Sequence, residues 1–309
     1  MTDFRIRKLT NDDYSTVAEL IRVSTNYWYE TKGRPPIFSG DPAATELFCD
    51  VYEELDPGCC FVVENARNGM LAGSCFYHPR PTHISLDIMN VHPNYAGHGV
   101  ARMLLQSIVD VAKTADLPLR LVSSAHNLDS FSLYTRAGFV PRMAFQDMYV
   151  AVPEDGLPFT HTDAAHVRAA TIGDVSAMAE LELEISGISR ESDYRYFLKN
   201  AASIWHASVF ENAEGGLDGF LVSVSHPGSN LLGPGIARHE SQAATLILAE
   251  LNQHRGQTPV CLIPVECADL VKQMYSWGAR NCEIHFAQTL GEWKSPKGVV
   301  MPTFMPESG

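Results

Sequence analysis

The stretch Val91-His92-Pro93-Asn94-Tyr95-Ala96-Gly97-His98-Gly99-Val100-Ala101-Arg102 carries the residue types of an anion site. An expected strand over His83–Val91 runs into a short loop with two glycines, and a helix follows from Gly99 to about Ala115. Ala101, Leu104, Leu105, Ile108 and Ala112 recur at helical spacing and predict one apolar face. Glycine lets the backbone turn tightly and approach a ligand. The first amides of a helix have no internal partner and sit at the positive end of its dipole. Ala96 to Arg102 are therefore expected to hold a phosphate on main-chain nitrogens. The dinucleotide fingerprint G-x-G-x-x-G/A does not fit, because Arg102 stands where a small residue is needed, and the G-x-x-x-x-G-K-[ST] loop is absent.

A second constellation lies downstream: Asn127-Leu128-Asp129-Ser130-Phe131-Ser132-Leu133-Tyr134-Thr135-Arg136-Ala137-Gly138-Phe139. With it, the sequence resembles the GNAT superfamily of N-acetyltransferases. Val91-x-Pro93 and Ala96-Gly97-His98-Gly99-Val100-Ala101 follow the family's Val-x-Pro and (Gln/Arg)-x-x-Gly-x-(Gly/Ala) pattern, with Ala96 in place of the usual Gln or Arg. Asn127, Ser130, Leu133, Tyr134, Gly138 and Phe139 follow the family's second motif. The resemblance implies acetyl-CoA as co-substrate and the primary amine of a small molecule as acceptor, joined by direct transfer in a ternary complex. It implies that Met89, Asn90 and Val91 line the pantetheine arm, and that Asn127 and Ser130 belong to the coenzyme site. Two other readings stand beside it: a CoA-binding sensor or assembly protein without turnover, and a protein lysine or N-terminal acetyltransferase.

Tyr134 is the expected general acid, because a departing thiolate needs a proton and a phenol with a pKa of ~10 can give one. Asp87 is the candidate base. Strand alternation would put Asp87, Met89 and Val91 on one face. For the acceptor, Tyr27, Tyr29 and Glu30 end the first helix, where aromatic faces and a carboxylate could hold a cation.

The elements that must position these residues read as βααβββαβαβ over the first 150 residues, and the order repeats. Ile6-Arg7, Thr10, Asp13 and Ala18-Glu19-Leu20 recur 161 positions later, without a gap, as Val167-Arg168, Thr171, Asp174 and Ala179-Glu180-Leu181. A single repeat of this length predicts two copies of one domain. The expected fold class is α/β, an α+β mixed sheet, with two tandem GNAT-like acyl-CoA N-acyltransferase domains. Residues 1–150 form the catalytic, acetyl-CoA-binding domain, 151–165 a linker and 166–309 a degenerate copy. In that copy Gly233-Pro234-Gly235-Ile236-Ala237 lines up with Gly97 to Ala101, Pro234 removes an amide, and Ala268 stands where the second motif has Asn. Met301–Pro306 reads as a final edge strand or extended tail.

Composition narrows the partners. The 309 residues carry a net charge of −13, and no basic stripe points to nucleic acid. No run of 18 apolar residues offers a membrane span, and Met1-Thr2-Asp3-Phe4-Arg5 lacks a signal-peptide pattern, so a cytoplasmic chain is expected. Seven cysteines at irregular spacing read as reduced, mostly buried thiols, and twelve histidines form no recognised ligand spacing, so no metal is expected. An oligomer is compatible with all of this.

Overall fold

The computed structural model describes residues 3–306; Met1, Thr2 and Glu307–Gly309, which the sequence reading includes in its two domains, lie outside them. The first half runs β1 (Phe4–Lys8), α1 (Tyr14–Thr31), α2 (Glu46–Leu55), β2 (Cys60–Asn65), β3 (Leu71–Pro79), β4 (Ile84–Val91), α3 (Val100–Ala115), β5 (Leu119–Ser124), α4 (Leu128–Arg136) and β6 (Val140–Tyr149). The second half repeats that order: β7 (Val167–Ala169), α5 (Val175–Ser186), α6 (Glu191–Lys199), β8 (Trp205–Glu211), β9 (Leu217–His226), β10 (Ser229–Ala237), α7 (Glu240–Leu251), β11 (Val260–Pro264), α8 (Ala268–Ser276) and β12 (Arg280–Leu290), with β13 (Val299–Met301) added. The class is mixed α/β, and no helix among the described residues is long and apolar enough to cross a membrane. All seven cysteines are free, and five of them are buried.

The residues that mark the sequence repeat build the same device twice. Arg7 reaches both carboxylate oxygens of Asp13, at 2.7 and 2.8 Å, while Thr10 donates to Asp13 through its amide (2.9 Å) and hydroxyl (2.8 Å). Arg168 holds Asp174 at 2.9 Å on both oxygens, and Thr171 donates through its amide (2.7 Å) and hydroxyl (2.9 Å). Each carboxylate thus ties the opening strand to the turn before the first helix.

Chain order and compactness divide the protein at different places. One compact unit holds the chain up to Pro79, His83–Leu119 and Met305; the other holds Arg80–Thr82 and Arg120–Phe304. The first unit is an antiparallel sheet, β1-β2-β3-β4. On one face lie α1 and α2: Tyr52 packs 5.1 Å from Phe76, and Asn90 bonds Ser24. On the other lies α3, seated so closely on Gly73 that a Cβ there would meet Val100 Cγ1 at 2.7 Å.

In the second unit the strand order is β7-β8-β9-β10-β11-β6-β12-β5. β6 pairs antiparallel with both β11 and β12, and β5 neighbours β12. The last strand of each half has therefore taken its place beside the fifth strand of the other, an exchange of identical elements between repeats. This is why the compact units part at Leu119/Arg120 rather than near residue 150. Met148, Leu232 and Ile263 pack with Leu246, Ile247, Leu270 and Met274 on one face; Phe145, Leu262 and Ala287 cluster on the other. The stretch expected as a linker begins pinned: Val152 is buried, its amide bonds Gln257 O at 2.9 Å, and its carbonyl accepts from Gly256 N at 3.0 Å.

The twin Arg–Asp devices give a signed prediction. Hydrogen bonds from Arg7 and Arg168 pull the Asp13 and Asp174 carboxyls down to about 2. A depressed folded-state pKa adds stability above the unfolded value of ~3.9, and this is lost as pH falls toward 2. Asp13→Asn is expected to lower stability by about 1–2 kcal/mol near neutral pH, with the difference from wild type closing in acid. Urea melts across this range measure it; a constant difference contradicts the linkage.

Candidate active site

The site begins where β4 ends. Gly97 and Gly99 adopt φ of 78° and 83°, the left-handed region that glycine enters without strain. Gly99 caps α3 and supplies no side chain to its amides. The first amide bond there runs from Met103 N to Gly99 O at 3.1 Å. Among the described residues, nothing accepts from the amides of Gly97, Gly99, Val100, Ala101 or Arg102. Ala96, Gly97, His98, Gly99 and Arg102 are exposed or half-exposed. His98 turns its ring back onto Ala96 O at 3.0 Å, so its side chain closes the turn instead of covering the amides. The result is a row of unpaired N–H groups at the positive end of a 16-residue helix, able to bind an anion without any cationic side chain.

Upstream, strand alternation breaks. β3 and β4 pair Cys75 with Met89 and Tyr77 with Leu86, so Asp87 and Ile88 together oppose one residue. This bulge puts Asp87 on the α1/α2 face with Asn90, while Met89 and Val91 stay with Cys75 and Gly73 on the α3 face. Asp87, Met89 and Val91 therefore do not share a face, because the extra residue flips every side chain before it. Asn90 Nδ2 donates to Ser24 Oγ at 2.6 Å, and its Oδ1 is buried with no partner among the described residues.

Asp87 sits in a chain of polar groups. Its Oδ1 accepts from Tyr52 Oη at 3.2 Å and from Ile88 N at 2.5 Å, and its Oδ2 is 2.8 Å from His78 Nε2. His78 Nδ1 lies 2.6 Å from Asp56 Oδ2. The ring thus bridges a fully buried carboxylate and a less buried one, with side-chain exposures of 2% and 14%. Such a chain can pass a proton from Asp87 outward to Asp56. His78 and Asp56 were missed from sequence; the available signal was only a histidine on the neighbouring strand.

The other predicted residues fall as follows. Asn127 caps α4, accepting from Ser130 N at 3.1 Å, so these two residues are brought together by helix capping. Tyr134 is buried on the same helix, 5.8 Å from the Phe139 ring. Tyr27 and Glu30 share an exposed face of α1, whereas Tyr29 points about 200° away from Tyr27 and packs edge-on to Trp28. Asn26 fastens the following loop, exchanging two 2.9 Å bonds with the Phe38 backbone, a role the sequence did not reveal.

Among the described residues of the second half there is no equivalent cradle. Gly233–Ala237 lies inside β10, not in a loop before a helix, so its expected alignment with Gly97–Ala101 fails. A strand passes almost directly into α7, whose first turn is closed by a His239–Gln242 capping box and carries Glu240. β10 pairs with β11 only at Leu231 and Leu232. Beyond that the freed edge of β10 is taken by β13, Gly235 opposite Met301 and Ala237 opposite Val299. A Cβ at Gly233 would lie 2.5 Å from Pro302 O. Of Met301–Pro306, expected as a final edge strand or extended tail, only Met301 belongs to a strand, β13, and that strand pairs with β10.

One cluster escaped the sequence reading. Asp147 on β6 and Glu283 and His285 on β12 are all buried, with ligand-type atoms within 4.8 Å of one another. Burial pushes the Asp147 carboxyl up, and contact with His285 opposes that rise.

Comparison with known proteins agrees with this architecture. The family model described as the acetyltransferase (GNAT) family matches residues 20–139, and one described as an acetyltransferase (GNAT) domain matches residues 178–283. The UPF0157 protein YqkA of Bacillus subtilis (strain 168) is 29% identical over 102 residues; the match spans 33% of this chain and 28% of that protein. A solved structure of a Pyrococcus horikoshii protein superposes with a TM-score of 0.74 at 14% identity, covering 97% of this chain and 95% of that one. A GCN5-related N-acetyltransferase from Sphaerobacter thermophilus gives 0.65 at 17%, with 96% and 98% covered. A tandem GNAT protein from the clavulanic acid biosynthesis pathway gives 0.60 at 14%, with 94% and 100% covered. Two family matches and a duplicated order of elements make this chain a member of the acetyltransferase (GNAT) family, with two GNAT domains in tandem.

Proposed function

We propose that the first half transfers the acetyl group of acetyl-CoA to the primary amine of a small molecule, by direct attack within a ternary complex. The observation that carries this reading is the set of open amides at Gly97, Gly99, Val100, Ala101 and Arg102, which suits the coenzyme's diphosphate; the amides of Ala96 and His98, expected in the same cradle, are instead bonded to Pro93 O and Tyr95 O, both at 3.2 Å. Met89, Asn90 and Val91 are the residues assigned to the pantetheine arm. The amine nitrogen attacks the thioester carbonyl, the C–S bond breaks, and Tyr134 gives its phenolic proton to the departing sulfur. Before attack Asp87 takes one proton from the substrate ammonium, and His78 and Asp56 carry it outward; the second proton, lost by the nitrogen as the amide forms, restores the Tyr134 phenol. Tyr27, Tyr29 and Glu30 are assigned to the acceptor, with Tyr27 and Glu30 the better placed pair because they share an exposed helix face. The net charge of −13 favours a cationic acceptor over nucleic-acid partners.

The second half is assigned a supporting role, since its groove holds β13 and its helix start is already capped. Calorimetry is expected to find one acetyl-CoA per chain; two would refute this assignment. Free-thiol release across a panel of small amines tests turnover. Tyr134→Phe is expected to slow kcat by 10²–10⁴-fold, the usual range for a lost general acid, with KM for acetyl-CoA little changed. Activity toward basic peptides alone would move the assignment to a protein acetyltransferase.

The proton chain has its own test. Asp87→Asn is expected to depress kcat/KM near neutral pH and to regain rate as pH rises toward the amine's pKa of ~10, where the acceptor is neutral unaided. A pH profile parallel to wild type would remove Asp87 from the reaction.

A further inference from the structure

The exchanged strands bring together three side chains that no step of acetyl transfer uses. Asp147 and Glu283 stand directly opposite each other in the antiparallel β6–β12 pair. Like charges in that relation repel, and here both are buried. The juxtaposition is made by a bulge: the register shifts between Asn281 and Glu283, so Cys282 is the extra residue and Glu283 is turned onto the face of Asp147. In a regular ladder Cys282 would oppose Asp147 and Glu283 would point to the opposite side. His285, two residues on, shares the face, and its Nδ1 lies 2.8 Å from Asp147 Oδ2. The Ser124 hydroxyl holds the Glu283 carboxylate by a short hydrogen bond. The Phe304 ring covers the imidazole at 4.7 Å between centroids. Asp147 Oδ1 is left over: it is buried, in a residue only 4% exposed, and no described group donates to it. His285 serves one oxygen of Asp147, but the other is buried without a donor beside a second carboxylate, an arrangement that leaves two acids to one imidazole.

We propose that Asp147, Glu283 and His285 form a binding site for a divalent transition-metal ion. Two carboxylates and one imidazole suit zinc or manganese better than magnesium, which takes oxygen ligands and keeps its waters. Ser124 orients the Glu283 ligand from outside, as hydrogen-bonded neighbours of metal ligands do. Because β6 comes from the first half and β12 from the second, the ion would tie the exchanged strands together. The site does not depend on the coenzyme reading.

The test uses the full chain, dialysed against a chelator and titrated separately with ZnCl2, MnCl2 and MgCl2, with bound metal counted by emission spectrometry. One zinc or manganese per chain is expected, bound far more tightly than magnesium, with a rise in melting temperature. His285→Gln and Asp147→Asn are each expected to weaken binding at least tenfold. Cobalt(II) is expected to give visible d–d bands that His285→Gln abolishes, which separates this site from loose binding at the other histidines. If Asp147→Asn does not fold, His285→Gln decides alone. No tight ion, magnesium bound as well as zinc, or a bound ion indifferent to both substitutions overturns the proposal.

Discussion

Every α-helix leaves its first amides without partners inside the helix, and something else must satisfy them. This protein answers that constraint in two ways within one repeated fold. At α3 the turn is built from Gly97 and Gly99 in left-handed conformations, no side chain caps the helix, and five amides stay open. At α7 the strand runs nearly straight into the helix, His239 and Gln242 cap it reciprocally, and Glu240 occupies the first turn, where an anionic ligand would be repelled. Water must satisfy the open amides until a ligand displaces it, so the first arrangement costs stability that the second retains. The asymmetry is what the proposed division into a binding half and a supporting half rests on.

The two halves share strands. The exchange of β6 and β12 makes β5 and α4, which carry the second motif, part of a compact unit otherwise built from the later sequence. Tyr134 therefore rests on a framework completed by the second half. A groove left between β10 and β11 is closed by β13, so the later copy uses its own backbone to satisfy an edge that would otherwise be bare.

Much of this was legible in the residues. The repeat at Arg7–Thr10–Asp13 and Arg168–Thr171–Asp174 was visible because one local device, a carboxylate shared by an arginine and a turn, demands the same residue types at the same spacing. The amide cradle was visible because glycine at positive φ followed by an apolar helix is a local pattern. What stayed hidden depends on partners distant in the chain. The bulge at Asp87–Ile88 is a relation between β4 and β3, and strict alternation in the sequence gives no sign of it. Gly233–Ala237 has the composition of a glycine turn yet forms a strand, because Gly235 must pass closely between Leu221 and Met301 and any Cβ would collide with both. Asp147 and Glu283 meet only through strand exchange and a one-residue bulge, and neither carries a spacing signature. Asn127 and Ser130 were assigned to the coenzyme through the resemblance, while their visible geometry is that of a helix cap.

The central claim is that bare main-chain nitrogens between Gly97 and Arg102 hold the coenzyme's diphosphate. Amide-resolved NMR or hydrogen exchange on addition of CoA tests it most directly. The account predicts large shifts and slowed exchange at Gly97, Gly99, Val100, Ala101 and Arg102, with the amides at the start of α7 unmoved. Saturating CoA that leaves the α3 amides unchanged, or that perturbs the α7 amides instead, would contradict it.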